Sequence, residues 1–466
     1  MSIGKKMSLM PENQLGYEKI AVLLRKFAFP SIISTLVSSL YNIVDQVFIG
    51  QGVGYLGNAA TNVSYPFSTI CLAIALLVGI GSASRFSLYL GQKKPEEAAK
   101  VAGNGVVLMV AAGLLYAAIG ECLLEPLLWL FGATSDVLPY ARQYAGVTLL
   151  GMPFLIVTNG LSSLIRADGS PKYSMLCMVS GAVANTILDP IFIFLWDLGV
   201  FGAALATVMG QILSFALAVG YLWKFKTIHF VISDFRLSLH STLRTFGMGI
   251  SSCVNQVAIT LVQIVLNHSL TYYGALSIYG TDIPLAACGI VMKTNAILLS
   301  IIVGISQGVQ PLIGFNYGAR QYGRVREAYL LAIRWNFIVS SIGFCLFEFF
   351  PYPIISVFGS GNELYMEFAV KFMRIFLFMV LVNGVQLLSS NFFTEIGKAT
   401  RGLLLALTRQ VFFLIPLLLL LPLSLGIDGV MLAGPIADFI AFVLSVMLVR
   451  KELKKQEAYS NLCQQG

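Results

Sequence analysis

Asp45 and Asp189 stand inside long apolar runs, where a carboxylate is costly enough to be read first as a functional group. Asn185 precedes Asp189 by one helical turn, so the two side chains share a face. Thr207 lies at a matching depth in the next run. Counting in from the ends of the runs, at a rise of about 1.5 Å per residue, places all four groups roughly 8–15 Å below one membrane surface. Two carboxylates, an amide and a hydroxyl at one level offer a hard monovalent cation such as Na+ its oxygen ligands. They equally suit a proton, because adjacent carboxylates repel unless one of them carries it. The structural alternative is that Asp189 caps a helix restarting at Pro190 and Asp45 bonds a neighbouring helix.

Polar stripes continue the pattern. Ser31, Ser34, Ser38, Asn42 and Asp45 follow one another in steps of three or four, as do Ser252, Gln256, Thr260, Gln263 and Asn267. Ser and Thr often only bond helices together, but the run of amides predicts a wet cavity. Asn159, Met292, Asn383 and Gln386 are further candidates for its lining, with methionine supplying a soft wall. Lys293 and Asp438 each lie roughly two to three turns into their runs. Each is a candidate cavity charge, and the two could pair. The second stripe carries no carboxylate.

These groups must be held by membrane helices. Of 466 residues, 57% are hydrophobic and 11% charged, against roughly 25% charged in soluble domains. Such a chain cannot hide its apolar surface in water. Apolar runs of spanning length occur at approximately 27–50, 59–88, 99–121, 137–165, 173–196, 200–223, 245–270, 284–311, 326–350, 364–393, 400–423 and 428–449. The expected fold is therefore an all-α polytopic membrane protein with twelve transmembrane helices. The seven cysteines are scattered, with no CxxC pair, which disfavours disulfides and zinc. No phosphate loop is present, since Gly397-Lys398 leads into Ala399, and no nucleophile motif supports a membrane enzyme.

Apart from Arg142 and Lys371, near the starts of the fourth and tenth runs, the basic residues of the connections fall at one end. Lys5, Lys6, Lys19, Arg25 and Lys26 precede the first run, and Lys93, Lys94, Arg166, Lys172, Lys226, Arg236, Arg320, Arg324, Lys398, Arg401 and Arg450 occupy alternate connections. The other connections carry Glu121, Glu125, Asp136, Asp197, Asp282, Glu363 and Asp428. By the positive-inside rule both termini are expected in the cytoplasm, and the protein in the cytoplasmic membrane. Topology and the lipid bilayer then account for the net charge of +8, and nucleic acid is not expected as a partner. No feature points to an obligate protein partner or to a cofactor.

A repeat runs through the chain. Leu198-Gly199-Val200-Phe201-Gly202 recurs as Leu425-Gly426-Ile427-Asp428-Gly429, Val78-Gly79-Ile80 as Val303-Gly304-Ile305, and Asn159-Gly160 as Asn383-Gly384. The expected organisation is a first lobe over 1–223, a cytoplasmic linker over 224–244 and a second lobe over 245–466. Six helices per lobe give both the same orientation, about an axis along the membrane normal. A cleft between parallel lobes suits alternating access.

Four stretches, Asn42 to Gly50, Arg166 to Lys172, Asn185 to Ile193 and Gly199 to Thr207, closely resemble the multidrug and toxic compound extrusion (MATE) family. Gln307 to Ala319 looks like its MepA-like bacterial branch. The resemblance implies an antiporter that exports drugs, often cationic and amphipathic, in exchange for Na+ or H+. It also implies that Asp45, Asn185, Asp189 and Thr207 form the coupling-cation site, the residues already reached by depth. Some members place a carboxylate in the seventh helix, where this chain has Asn255 and Gln256. A lipid-linked oligosaccharide flippase of related architecture is the nearest alternative, and would need several cavity cations where only Lys293 is expected.

Overall fold

Backbone in hydrocarbon must satisfy its own hydrogen bonds, and the apolar runs do so by coiling. In the computed structural model, which describes residues 13–357 and 363–465, every described regular element is helical. Lys5 and Lys6 lie outside those residues. The first lobe comprises α1 (Ile20–Gly52), α2 (Tyr55–Gly91), α3 (Pro95–Cys122), α4 (Leu138–Ala167), α5 (Pro171–Leu195) and α6 (Gly199–Gly220). The second comprises α7 (Leu239–Ala275), α8 (Asp282–Gly318), α9 (Tyr322–Phe349), α10 (Glu363–Phe376 and Val380–Glu395), α11 (Ala399–Leu425) and α12 (Ile427–Gln465). Eleven of these are individually long and apolar enough to cross a bilayer, and the two pieces of α10, bent by 48°, make the twelfth. Two helices depart from α geometry. After Pro190, α5 widens into a π-helical end at Ile191–Leu195, and α11 carries a π-helical stretch at Thr408–Leu414.

The lobes meet through α1 against α8 and α2 against α7, with α2 and α8 crossing. Glycine makes these approaches possible. A Cβ on Gly91 would sit 2.0 Å from the Phe315 carbonyl oxygen, and one on Gly318 would sit 2.2 Å from that of Leu88. Higher up, Gly249 lies under the Leu77 carbonyl and Gly81 under that of Thr245, while Gly304 and Gly308 face Ile32 and Ala28. Each contact has a counterpart with the lobes exchanged, offset by 227 residues between α2 and α8 and by 217 between α1 and α7.

Polar groups reinforce the seam. Arg85 donates to the Ser241 carbonyl at 2.6 Å and to the Thr245 hydroxyl at 3.0 Å. Ser84 donates to Glu395 at 2.8 Å, and Thr35 to the Ser300 carbonyl at 2.7 Å. These contacts lie in the halves of α1, α2, α7 and α8 nearest the basic loops. The structure is therefore closed at its basic end.

The connection between lobes is not a loose tether. Asp168, in the α4–α5 turn, accepts from the Tyr221 hydroxyl at 2.7 Å, from the Lys226 and Thr227 backbone amides at 2.8 and 3.0 Å, and from the Thr227 hydroxyl at 2.5 Å. Burial pushes its carboxyl upward, against the four hydrogen bonds that favour the charged form. Phe225, Phe230 and Phe235 continue the docking in a chain of ring contacts that begins at Phe86 of α2, edge-to-face as far as Phe230 and tilted between Phe230 and Phe235. The segment up to Phe235 thus packs on the first lobe, and α7 begins at Leu239.

Candidate functional site

Asn185 and Asp189 occupy one face of α5, and Pro190 immediately after them supplies no amide to the helix. α6 lies close alongside because glycines face each other: a Cβ on Gly210 would stand 2.6 Å from the Gly181 carbonyl oxygen. This approach brings Thr207 to Asn185. The Asn185 amide donates to Asp189 Oδ1 at 3.2 Å and to Thr207 Oγ1 at 3.3 Å.

From α1, Asp45 places its carboxyl against that of Asp189, and both side chains are buried. Asp45 Oδ1, Asn185 Oδ1 and Asp189 Oδ2 are buried without a hydrogen-bond partner among the described residues. Among the described residues, no ion pair reaches either carboxyl. Two carboxyls in contact, with unpartnered acceptors around them and no cationic side chain beside them, need a positive charge from elsewhere. A proton or a small oxygen-seeking cation meets that need.

Two tyrosines complete the pocket. Tyr41, one turn before Asp45, lies near both carboxyls, and Tyr144 of α4 lies near them and bonds Thr207. Sequence spacing signals Tyr41 through its i, i+4 relation to Asp45. Nothing in the sequence signals Tyr144, because its place depends on how α4 packs.

The remaining candidates divide. Ser38 and Asn42 stay on the α1 stripe, where the exposed Asn42 amide donates to the Ser38 carbonyl at 2.6 Å. Gln263 donates to Asn267 at 2.9 Å, and Gln256 is half-buried nearby on α7. Asn159 donates to Leu155 within its own helix, and buried Gln386 bridges α10 to the Leu405 carbonyl of α11 at 3.0 Å. The Gln386 amide is therefore engaged in helix packing. Met292 packs against the core of the second lobe.

Asp438 does not pair with Lys293, correcting one expectation. Its partner is Arg409, whose Nε donates to Oδ1 at 2.5 Å, with Asn383 against the same carboxyl. Lys293 is exposed on α8 and forms no ion pair among the described residues. Lys293 is also not the only cation at depth, since Arg409 lies ten residues into α11. Glu395 was likewise not singled out by sequence. It is 2% exposed at the seam and faces the buried Arg166 as well as Ser84.

Comparisons with known proteins agree with this architecture. Multidrug export protein MepA of Staphylococcus aureus strain MSSA476 is 27% identical over 449 residues, covering 94% of this chain and 96% of the relative. The MepA of Staphylococcus saprophyticus is 26% identical over 460 residues, covering 96% and 99%. Among solved structures, an outward-facing multidrug resistance MATE family transporter of the MOP superfamily superposes with a TM-score of 0.89 at 22% identity, covering 95% of this chain and 98% of that one. A MOP superfamily transporter from Pyrococcus furiosus gives 0.88 at 21%, with the same coverage. The family model described as MatE matches residues 30–191 and 251–420, one segment in each lobe, and the chain belongs to the MatE family of membrane transporters.

Proposed function

We propose that this protein is a secondary active exporter that moves amphipathic, often cationic, small molecules out of the cell in exchange for Na+ or H+. The observation that carries the proposal is the Asp45–Asp189 contact with its unpartnered oxygens. In this reading Asp45 and Asp189 take up the ion, Asn185 and Thr207 complete its oxygen shell, and the cleft between the lobes holds the substrate. Gln256, Gln263, Asn42 and Ser38 line that cleft. Ion binding neutralises the carboxyl pair and so favours one arrangement of the lobes over the other, which is a population shift driven by differential affinity. The basic loops face the cytoplasm, so the closed end described above is the inner one and the site is reached from outside.

The flippase alternative loses support from Arg409. A lipid pyrophosphate calls for unpaired cations in the cleft, and the half-buried Arg409 is already engaged by Asp438.

Purified protein in liposomes tests the proposal, with ethidium as the probe and Na+ and pH gradients imposed separately. Ethidium accumulation against its gradient should follow one of the two and collapse when that gradient is dissipated. Accumulation that ignores both gradients overturns the coupling.

A further inference from the structure

A groove of about 450 Å³ opens at the basic end between α1, α5 and α9, lined by Arg25, Lys26, Phe29, Ile32, Lys172 and Trp335. Its charges are all of one sign. None of the three cations takes part in an ion pair among the described residues, and Lys26 bonds only the neutral Gln14 side chain, at 2.6 Å. Among the described residues, no carboxylate lines the groove.

The lining has a polarity along α1. Arg25 and Lys26 come first from the basic end, Phe29 follows one turn deeper, and Ile32 nearly another turn, at about 1.5 Å per residue. Trp335 approaches from α9. Phe29 is 67% exposed, a large apolar ring turned away from the protein core. Cations at the membrane surface and apolar side chains below them reproduce the order of phosphate and acyl chain in a phospholipid. A water-soluble anion would have no use for the apolar part.

We infer that this groove binds an anionic phospholipid, its headgroup phosphate held by Arg25, Lys26 and Lys172 and its acyl chain laid along Phe29, Ile32 and Trp335. The site spans the seam, because α1 and α5 belong to the first lobe and α9 to the second. A bound lipid therefore touches both lobes at the end where they are closed.

Native mass spectrometry of the full chain tests the inference, with phosphatidylglycerol as probe and phosphatidylcholine of the same chain length as control. Phosphatidylglycerol should bind in preference. Arg25→Gln and Lys172→Gln should each weaken it about fivefold, and the double variant about thirtyfold. Lys93→Gln/Lys94→Gln, which removes two basic-end charges outside the groove, should leave it unchanged. Trp335→Ala should weaken the lipid with no effect on inorganic phosphate. Equal binding of the two lipids, or undiminished phosphatidylglycerol affinity in the charge variants, overturns the inference. So does displacement of the lipid by millimolar inorganic phosphate, which would make the site one for the free anion. Should the double variant not fold, the two single variants decide.

Discussion

The two lobes share a scaffold and differ in what they bury. The offsets that relate their seam contacts carry Asp45 onto Val262 of α7. Gly169 and Gly397 occupy matching turns, with φ of 86° and 78°, and that offset carries Asn185 onto Phe413 and Asp189 onto Leu417. Where the first lobe has a carboxylate pair, the second has hydrocarbon: Val262 is part of a buried apolar cluster, with Phe413 and Leu417 packed against it. The second lobe keeps its own buried carboxylate, Asp438, but supplies the counter-charge from Arg409. A carboxylate with a fixed cation needs no mobile one, whereas a carboxylate pair without one does. On the proposed function, ion coupling therefore belongs to the first lobe.

The largest expected effect breaks the site that the second lobe lacks. Asp189→Asn or Asp45→Asn should reduce ion-driven ethidium transport in liposomes to that of protein-free vesicles, with the protein still folded. Near-normal transport in either variant, at equal reconstitution, would remove that residue from the mechanism. Next comes the fixed pair. Arg409→Met strands a buried carboxylate and should cost about 3–5 kcal/mol of stability in thermal unfolding, while Arg409→Met/Asp438→Leu should recover most of it.

The contrast between lobes is sharpened by Asp438→Asn, which should lower drug affinity or folding yield but leave the ion-to-drug stoichiometry unchanged. Reversal potentials in liposomes measure that ratio, and a loss of one ion per drug would place a second coupling site in the second lobe. The smallest effect belongs to Lys293→Met. This exposed side chain has no ion partner among the described residues, so stability should stay within about 0.5 kcal/mol and drug transport near normal.

Depth along a helix was legible in the sequence; direction around it was only partly so. Asp45, Asn185, Asp189 and Thr207 could be grouped because rise and an i, i+4 spacing are fixed by backbone geometry. Lys293 and Asp438 lie at compatible depths too, yet their helices turn them to different neighbours, and no count of residues reveals that. Arg409 was within reach of the same depth count, but its partner on another helix was not. The repeat was visible as matched Gly and apolar motifs, and it announced two lobes. The break in α10 falls at Leu377–Met379, where neither Pro nor Gly marks it, so packing alone betrays it. Glu395 escaped notice at the end of its helix, where a charge is ordinarily a solvated one.

The glycine contacts at the seam have a consequence for ancestry. Gly91 meets Phe315 and Gly318 meets Leu88, which is the same contact made twice with the roles exchanged. Such an interface is isologous: one self-complementary patch serves both sides. A six-helix forebear carrying that patch would have had what it needed to form a two-fold dimer before any gene was doubled. Fusion of two such copies would remove the demand that both remain identical. With that demand lifted, one half can hold a bare carboxylate pair while the other fills the same place with Val262, Phe413 and Leu417.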